Sequence, residues 1–285
     1  MLPGTVSKLY DEDDIKVHLE PLAKWCKANY VEQRVTKILG NENKLILENG
    51  DTLEYDILAI NVGSKTKDTG GVKGVWDHAL TTRPINDLLP KIRNKEEELK
   101  KAGKIPTVVV CGGGAAGTEL SYAFKKRWSD YFGQEIKITL VASSDEPVNS
   151  ECRQTKDQIQ RILKLKNIDV VTNRQVTEVT PESVILDNGD VLPCDVAIWA
   201  TGAEPQKVSA ESDLALMKGF FRVNNFLQST SHPNIFAGGD CITMESYADK
   251  PYPTKAGVYA VREGPIIAQN LMNYIENKPL VEYVP

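Results

Sequence analysis

An α/β fold of two similar domains, each built on a parallel sheet, is predicted for this chain of 285 residues, and three observations predict it. The stretch "ENGDTLEYDILAINVGS" (48–64) returns, altered, as "DNGDVLPCDVAIWATGA" (187–203). Asn49 matches Asn188, Gly50 Gly189, Leu53 Leu192, Asp56 Asp195 and Gly63 Gly202, every pair at the same interval along the chain. From residue 107 onward, short β-branched runs alternate with helical periods in the order strand, helix, strand, helix, strand, which builds a parallel sheet. Between the two copies, "VVVCGGGAAGTEL" sets Gly112, Gly114 and Gly117 at G-x-G-x-x-G spacing, after a predicted strand and ahead of a predicted helix.

Taken in order, residues 19–29 read as a short amphipathic helix. Strands follow near 30–38, 43–48 and 52–61, with "ENGD" as a hairpin turn, because Asn-Gly tolerates the positive φ such turns need. The charged run "DLLPKIRNKEEELKK" (87–101) reads as a solvated connecting helix. "TVVVC" (107–111) is a buried strand, 118–128 a helix, "KITLVA" (137–142) a strand, 151–167 a helix with apolar Ile159, Ile162, Leu163 and Leu165, and "IDVV" (168–171) a third strand. The second copy closes this unit, and a last helix covers about 255–276.

Composition excludes several classes of function. Hydrophobic residues make up 41% and charged residues 26%, ordinary for a folded globular chain. A formal net charge of −5 gives no basic surface for nucleic acid. No apolar run reaches the roughly 20 residues of a membrane helix, and the start carries no secretory signal pattern. Five cysteines without CxxC spacing fit a reducing, intracellular, cytoplasmic setting, with a mitochondrial or membrane-peripheral one left open. Three histidines far apart in sequence support no metal site.

The glycine loop has a physical logic. Gly112 allows a tight turn, Gly114 lets a pyrophosphate approach the backbone, and Gly117 lets helix and strand come close. The amides that open the helix, at Ala115, Ala116 and Gly117, then point at the phosphates with the positive end of the helix dipole behind them. The second strand ends "LVASSDE", with Ala142, Ser143 and Ser144 where an acid would mark NAD. Asp145 comes slightly late and no arginine precedes Arg153 in this loop, so the choice between NADH and NADPH stays open. Glu119, just past the fingerprint, either complements the helix dipole or faces the cofactor.

The interval from Gly112 to Asn188 separates the second copy from its glycine loop. The same interval counted back from Asn49 falls ahead of Met1, so the expectation is that the opening strand, glycine loop and helix of the first domain are missing. "TSHPNIFAGGDC" (230–241) adds a strand, a turn at Gly238 and Gly239, and Asp240 at the strand's carboxyl end, where it either stabilises the turn or accepts hydrogen bonds from a hydroxylated cofactor chain.

Together these motifs resemble the FAD- and NAD(P)-dependent pyridine nucleotide oxidoreductases. The sequence runs from a closing strand ending "NVGS", through an inserted "GGGAAG" domain, to "ATG" (200–202), "FAGGD" (236–240) and a terminal helix. "MLPG", "LQSTSHPNIFAGGD" and "KAGVYAVREGP" look closest to the branch that includes the flavoprotein module fused to selenide, water dikinase, a branch related to type II NADH dehydrogenases and apoptosis-inducing-factor-like quinone reductases. The resemblance implies two Rossmann-like domains. A partial FAD domain covers 1–84 and 204–285, N-terminally incomplete, with an NAD(P) domain at 104–203 inserted into it.

It further implies that Asp240 binds the ribityl–phosphate region of FAD and that Glu119 lies near nicotinamide and flavin. Gly63, Gly202, Gly239 and Ala256 would line the cofactors, and Lys255 with the following helix start would set positive charge near the flavin. The implied reaction passes hydride from NADH or NADPH to FAD and electrons on to a small acceptor such as a quinone. Arg262 and Glu263 stand where type II dehydrogenases often carry glutamines, a departure that bears on the acceptor. No cysteine has the spacing for disulfide chemistry. The alternative is a non-catalytic NAD(P)-binding or regulatory module without FAD, because losing about three charge-assisted amide contacts would weaken FAD by about 4–5 kcal/mol.

Overall fold

The computed structural model describes residues 2–67, 71–250 and 253–285. The chain forms two compact units: the first takes the residues up to His18 together with Thr66–Gly202, the second Leu19–Lys65 and Ala203–Pro285.

The first unit is built on a five-stranded parallel sheet in the order Ala79–Thr81, Val196–Trp199, Thr107–Cys111, Lys137–Val141, Ile168–Val171. Side chains alternate across a strand. Val108, Val110, Ile138, Leu140, Val196 and Ile198 therefore share one face with Leu120, Phe124 and Trp128 of the helix Ala115–Phe132. Val109, Cys111, Val141, Ala197 and Trp199 take the other face, with Val179, Val184 and Leu186 of the antiparallel meander Val176–Val179, Ser183–Leu186, Val191–Pro193. A β-branched run suits this sheet because both faces are covered.

Two expectations change here. The helix over 87–101 is not a solvated connector: it spans Ile85–Lys101 and buries Leu88, Leu89, Ile92, Glu96 and Leu99. Its apolar residues recur at helical spacing beneath a surface rich in lysine and glutamate. Glu96 is buried because its charge is fully met. Arg127 Nε and Nη2 donate to its carboxylate at 2.5 and 3.0 Å, and Trp128 Nε1 donates at 2.9 Å. Arg127 Nη1 also donates to the Val6 carbonyl at 3.2 Å. The second change concerns the ends of the 1–84 segment. Val6 is fully buried in the first unit's core, and the Val179 amide donates to the Lys73 carbonyl at 2.8 Å. Residues 2–18, 66–67 and 71–84 thus pack with the glycine-loop unit, and 19–65 of that segment joins the second.

The second unit starts with its own meander, Val35–Leu39, Lys44–Leu47, Thr52–Glu54, followed by Leu58–Ile60, which pairs in parallel with Ile235–Ala237. Phe220–Val223 pairs in parallel with Ile242–Met244 and antiparallel with Leu216–Met217. The helix Gly257–Ile275 follows. The core collects Ile38, Ile60, Phe221, Val223, Leu227, Ile235 and Met244.

The repeat read from the sequence is structural, and its copies close different units. Gly50 and Gly189 sit at φ +89 and +86. Asn49 donates Nδ2 to Asp51 and Asn188 donates Nδ2 to Asp190, both at 2.7 Å, and each asparagine accepts its aspartate's amide, at 3.0 and 3.1 Å. Side chain and backbone thus specify one turn twice. The copies part at their last glycine: Gly63 has φ +65, whereas Gly202 is outside the positive-φ region.

Candidate functional site

In the first unit the three loop glycines divide the work. Gly112 sits at φ +123, and a Cβ there would lie 2.7 Å from the Ala200 carbonyl oxygen. A Cβ on Gly117 would lie 1.8 Å from the Gly112 carbonyl oxygen, so backbone meets backbone at that point. Gly114 has extended geometry at the head of the helix Ala115–Phe132, and a Cβ there meets no protein atom within 4 Å. That helix has no side-chain cap and no acid in its first turn, and Ala115 and Ala116 are exposed. Its opening amides and dipole are therefore available to an anion.

A cavity of about 310 Å³ adjoins the loop, with Gly112, Ser143, Arg174, Trp199 and Thr201 in its wall. Trp199 Nε1 and Thr201 Oγ1 are buried without a hydrogen-bond partner among the described residues. Buried polar atoms normally have partners, so two orphans beside a glycine cradle fit a polar ligand such as a dinucleotide.

Gly202 lies three residues past the strand Val196–Trp199, and its carbonyl accepts a 3.4 Å bond from Arg83 Nη1. Glu119 is exposed on the glycine-loop helix. It lines a hollow of about 350 Å³ with Gly4, Ser7, Tyr122, Lys126 and Lys166.

In the second unit Asp240 stands on the short turn Gly239–Cys241 that follows the strand Ile235–Ala237. Ser64 Oγ donates to its Oδ2 at 2.9 Å. Gly239 has φ +74, and its amide donates to Glu263 Oε2 at 2.5 Å. Burial raises the Glu263 carboxyl above its ordinary pKa, against the pull of the Gly239 amide and Lys255. Lys255 donates to the Ile242 carbonyl and lies over the Phe220 ring, 4.0 Å from its centroid. Burial lowers its pKa, while Asp240, Cys241 and Glu263 act to raise it. Lys255 and Glu263 share the wall of a cavity of about 180 Å³ with Phe220, Tyr247 and Tyr259. Ala256 caps the helix Gly257–Ile275, whose start has neither an acid in its first turn nor a side-chain cap. A Cβ on Gly63 or Gly257 meets nothing within 4 Å. An acceptor carboxylate, a serine and an open helix start fit the hydroxyls and phosphate of a flavin nucleotide.

The candidate residues therefore fall into two sets. Gly112, Gly114, Ala115, Ala116, Gly117, Gly202 and Glu119 belong to the first unit, and Gly63, Gly239, Asp240, Lys255 and Ala256 to the second. Sequence reasoning missed Arg174, Ser64 and the buried carboxylate role of Glu263. Ser64 had a signal in the "NVGS" ending. Arg174 comes from the loop after the next strand, where no local motif ties it to Ser143. Among the described residues no helix is long and apolar enough to cross a membrane.

A meander-then-strand closure made once in each of two units, one of them headed by a pyrophosphate-type cradle, is the architecture of the Rossmann-like, two-dinucleotide flavoproteins. Residues 12–264 match the model of the pyridine nucleotide-disulphide oxidoreductases, and the chain belongs to that family. It is 28% identical over 272 residues to ferroptosis suppressor protein 1 of Xenopus tropicalis, covering 90% of this chain and 67% of that protein. It is 25% identical over 297 residues to a type II NADH:quinone oxidoreductase of Staphylococcus saprophyticus, covering 98% and 72%. The solved structure of NDH2 from Plasmodium falciparum in complex with NADH superposes with a TM-score of 0.73 at 23% identity, over 86% of this chain and 57% of that one. The chain thus spans between 57% and 72% of these three proteins' lengths. FAD and a nicotinamide dinucleotide are the cofactors of this family.

Proposed function

We propose that this chain carries the working parts of an FAD-dependent NAD(P)H oxidoreductase, with a quinone-like or other small molecule as electron acceptor. The observation that carries the reading is the glycine cradle, in which Gly112 and Gly117 are required by the fold and Gly114 is open to a ligand. FAD, when bound, supplies the hydride acceptor and the route by which electrons leave. The protein's part is binding and orientation. Ala115, Ala116 and Gly117 present amides to the dinucleotide pyrophosphate, and Gly202 lies just past the strand Val196–Trp199. Asp240, oriented by Ser64 at 2.9 Å, accepts hydrogen bonds from the flavin's hydroxylated chain, beside Gly63 and Gly239. Lys255 and the helix start at Ala256 set positive charge in the second unit, while Glu119 offers a carboxylate on the glycine-loop helix.

The three buried thiols favour this reading over disulfide exchange, whereas Cys152 is exposed and its hydrogen bonds with Thr155 lower its pKa. Burial pushes Cys111 up and moves Cys194 and Cys241 up to about 11, which keeps them away from the reactive thiolate. The NADH named for the Plasmodium falciparum structure and the quinone named for the Staphylococcus saprophyticus relative support the nicotinamide and acceptor classes. The test is flavin retention. Protein refolded or purified with excess FAD and then desalted keeps flavin, and Asp240→Ala loses about 10-fold or more in affinity, as expected for removing charge-assisted acceptors. No flavin on the wild-type chain, alongside measurable dinucleotide binding, would leave a nicotinamide-binding module instead.

A further inference from the structure

We propose that the cavity beside the glycine loop selects a 2′-phosphorylated dinucleotide, NADPH over NADH, through Arg174. The inference rests on the dinucleotide reading above and names which dinucleotide this chain takes.

In this fold the adenosine ribose lies at the carboxyl end of the second parallel strand, where an acid binds the 2′-hydroxyl of NAD and an arginine accommodates the 2′-phosphate of NADP. Here that strand is Lys137–Val141, and Ala142, Ser143 and Ser144 follow it. The loop after the next strand is tied to this same spot. The Arg174 amide donates to the Ala142 carbonyl at 3.2 Å, and the Asn173 amide donates to the Ser144 carbonyl at 2.9 Å. The Gly112 amide is bonded to the Val141 carbonyl at 2.9 Å, so the first loop glycine and Arg174 are anchored to neighbouring peptide groups of one strand end.

Charge around the cavity points the same way. Lys67 and Arg174 are in its wall together with Ser143, and among the described residues no carboxylate lines it. Asp145 and Glu146, which follow the strand Lys137–Val141, both line a different cavity, with Gln160, Leu163 and Asn167. Glu146 accepts from Lys156 at 2.7 Å, Gln160 at 2.9 Å and Arg153 at 3.1 Å. Arg174 is half-buried and uses Nη1 to bond the Asn173 carbonyl at 2.8 Å. Its Nε and Nη2 have no partner among the described residues, which leaves N–H groups of a planar fork suited to a phosphate. Among the described residues a ribose 2′-hydroxyl would find no carboxylate here, whereas a 2′-phosphate would find an arginine, a lysine and a serine hydroxyl.

The test is calorimetric binding of NADP⁺ and NAD⁺, with 2′,5′-ADP and 5′-ADP as fragments that report the ribose site alone. Wild-type protein is expected to bind NADP⁺ at least about 10-fold more tightly than NAD⁺, the effect of one charge-assisted pair. Arg174→Ala removes that preference and leaves NAD⁺ affinity within about 2-fold, and Arg174→Lys restores part of it. Ser143→Asp, which adds the missing acid, shifts the preference toward NAD⁺. Equal or tighter binding of NAD⁺ by the wild type, or an equal loss for both dinucleotides in Arg174→Ala, would overturn the assignment while leaving dinucleotide binding intact. Binding of neither dinucleotide would remove the functional reading as well.

Discussion

Substituting the loop glycines one at a time separates their roles. Gly114→Ala places a methyl group where no protein atom lies within 4 Å, at φ −74 and ψ −177, a conformation alanine adopts freely. The fold should barely register it. Reduced freedom of the unfolded chain stabilises by about 0.4–1 kcal/mol, and alanine is a poorer helix cap than glycine by a similar amount. The methyl would, however, occupy the path of a pyrophosphate. Displacing one or two amide contacts of about 1.5 kcal/mol each gives a loss of roughly 10- to 150-fold in dinucleotide affinity. Gly117→Ala has the opposite signature: its Cβ would sit 1.8 Å from the Gly112 carbonyl oxygen. Relief requires the helix to move off the strand, costing about 1–3 kcal/mol of stability, with binding lost as a consequence. Thermal melts and titration calorimetry on both variants are the assay. Unchanged dinucleotide affinity in Gly114→Ala would refute the placement of the pyrophosphate, and an unchanged melting temperature in Gly117→Ala would refute the helix–strand contact.

Two further predictions concern the buried charges. Glu96→Ala leaves Arg127 and the Trp128 indole N–H buried without their acceptor, and should destabilise the first unit by about 3–5 kcal/mol in urea unfolding; a change under about 1 kcal/mol, the value of an exposed pair, would show that water reaches Arg127. Glu263 has its folded pKa raised above 4.5 by burial, so the folded state holds its proton more tightly than the unfolded one and stability falls as pH rises through that window. Glu263→Gln should remove this contribution, so that its stability relative to wild type increases from about pH 4 toward neutrality; a pH-independent difference would contradict the assignment.

What the sequence disclosed follows from where its information is local. The Asn49-Gly50 and Asn188-Gly189 turns were legible because side chain, turn and following strand lie close together along the chain. The glycine loop was legible because Gly112 and Gly117 answer backbone constraints set by their neighbours and Gly114 completes the spacing. The helix Ile85–Lys101 was misread because Glu96 finds its partner Arg127 on a different helix, and only that pairing makes a buried glutamate admissible. The packing of Val6 into the first unit's core was hidden for the same reason. Gly63 and Gly202 occupy matched positions in the repeat, yet only Gly63 adopts a positive φ; sequence alignment shows equivalence of place and cannot show backbone conformation. The charge offered by Lys255 is legible in the sequence, but the contacts of its ammonium with the Ile242 carbonyl and the Phe220 ring are not, because these partners come from two strands earlier in the chain.

The central claim is that one chain brings a nicotinamide dinucleotide and FAD into reaction. The most direct measurement is an anaerobic titration of the FAD-reconstituted protein with NADPH and with NADH, followed by visible absorption. Bleaching of the bound-flavin band on addition of the nicotinamide, and its return when a quinone is admitted, is the predicted result. A bound flavin that stays oxidised with either nicotinamide would contradict the account.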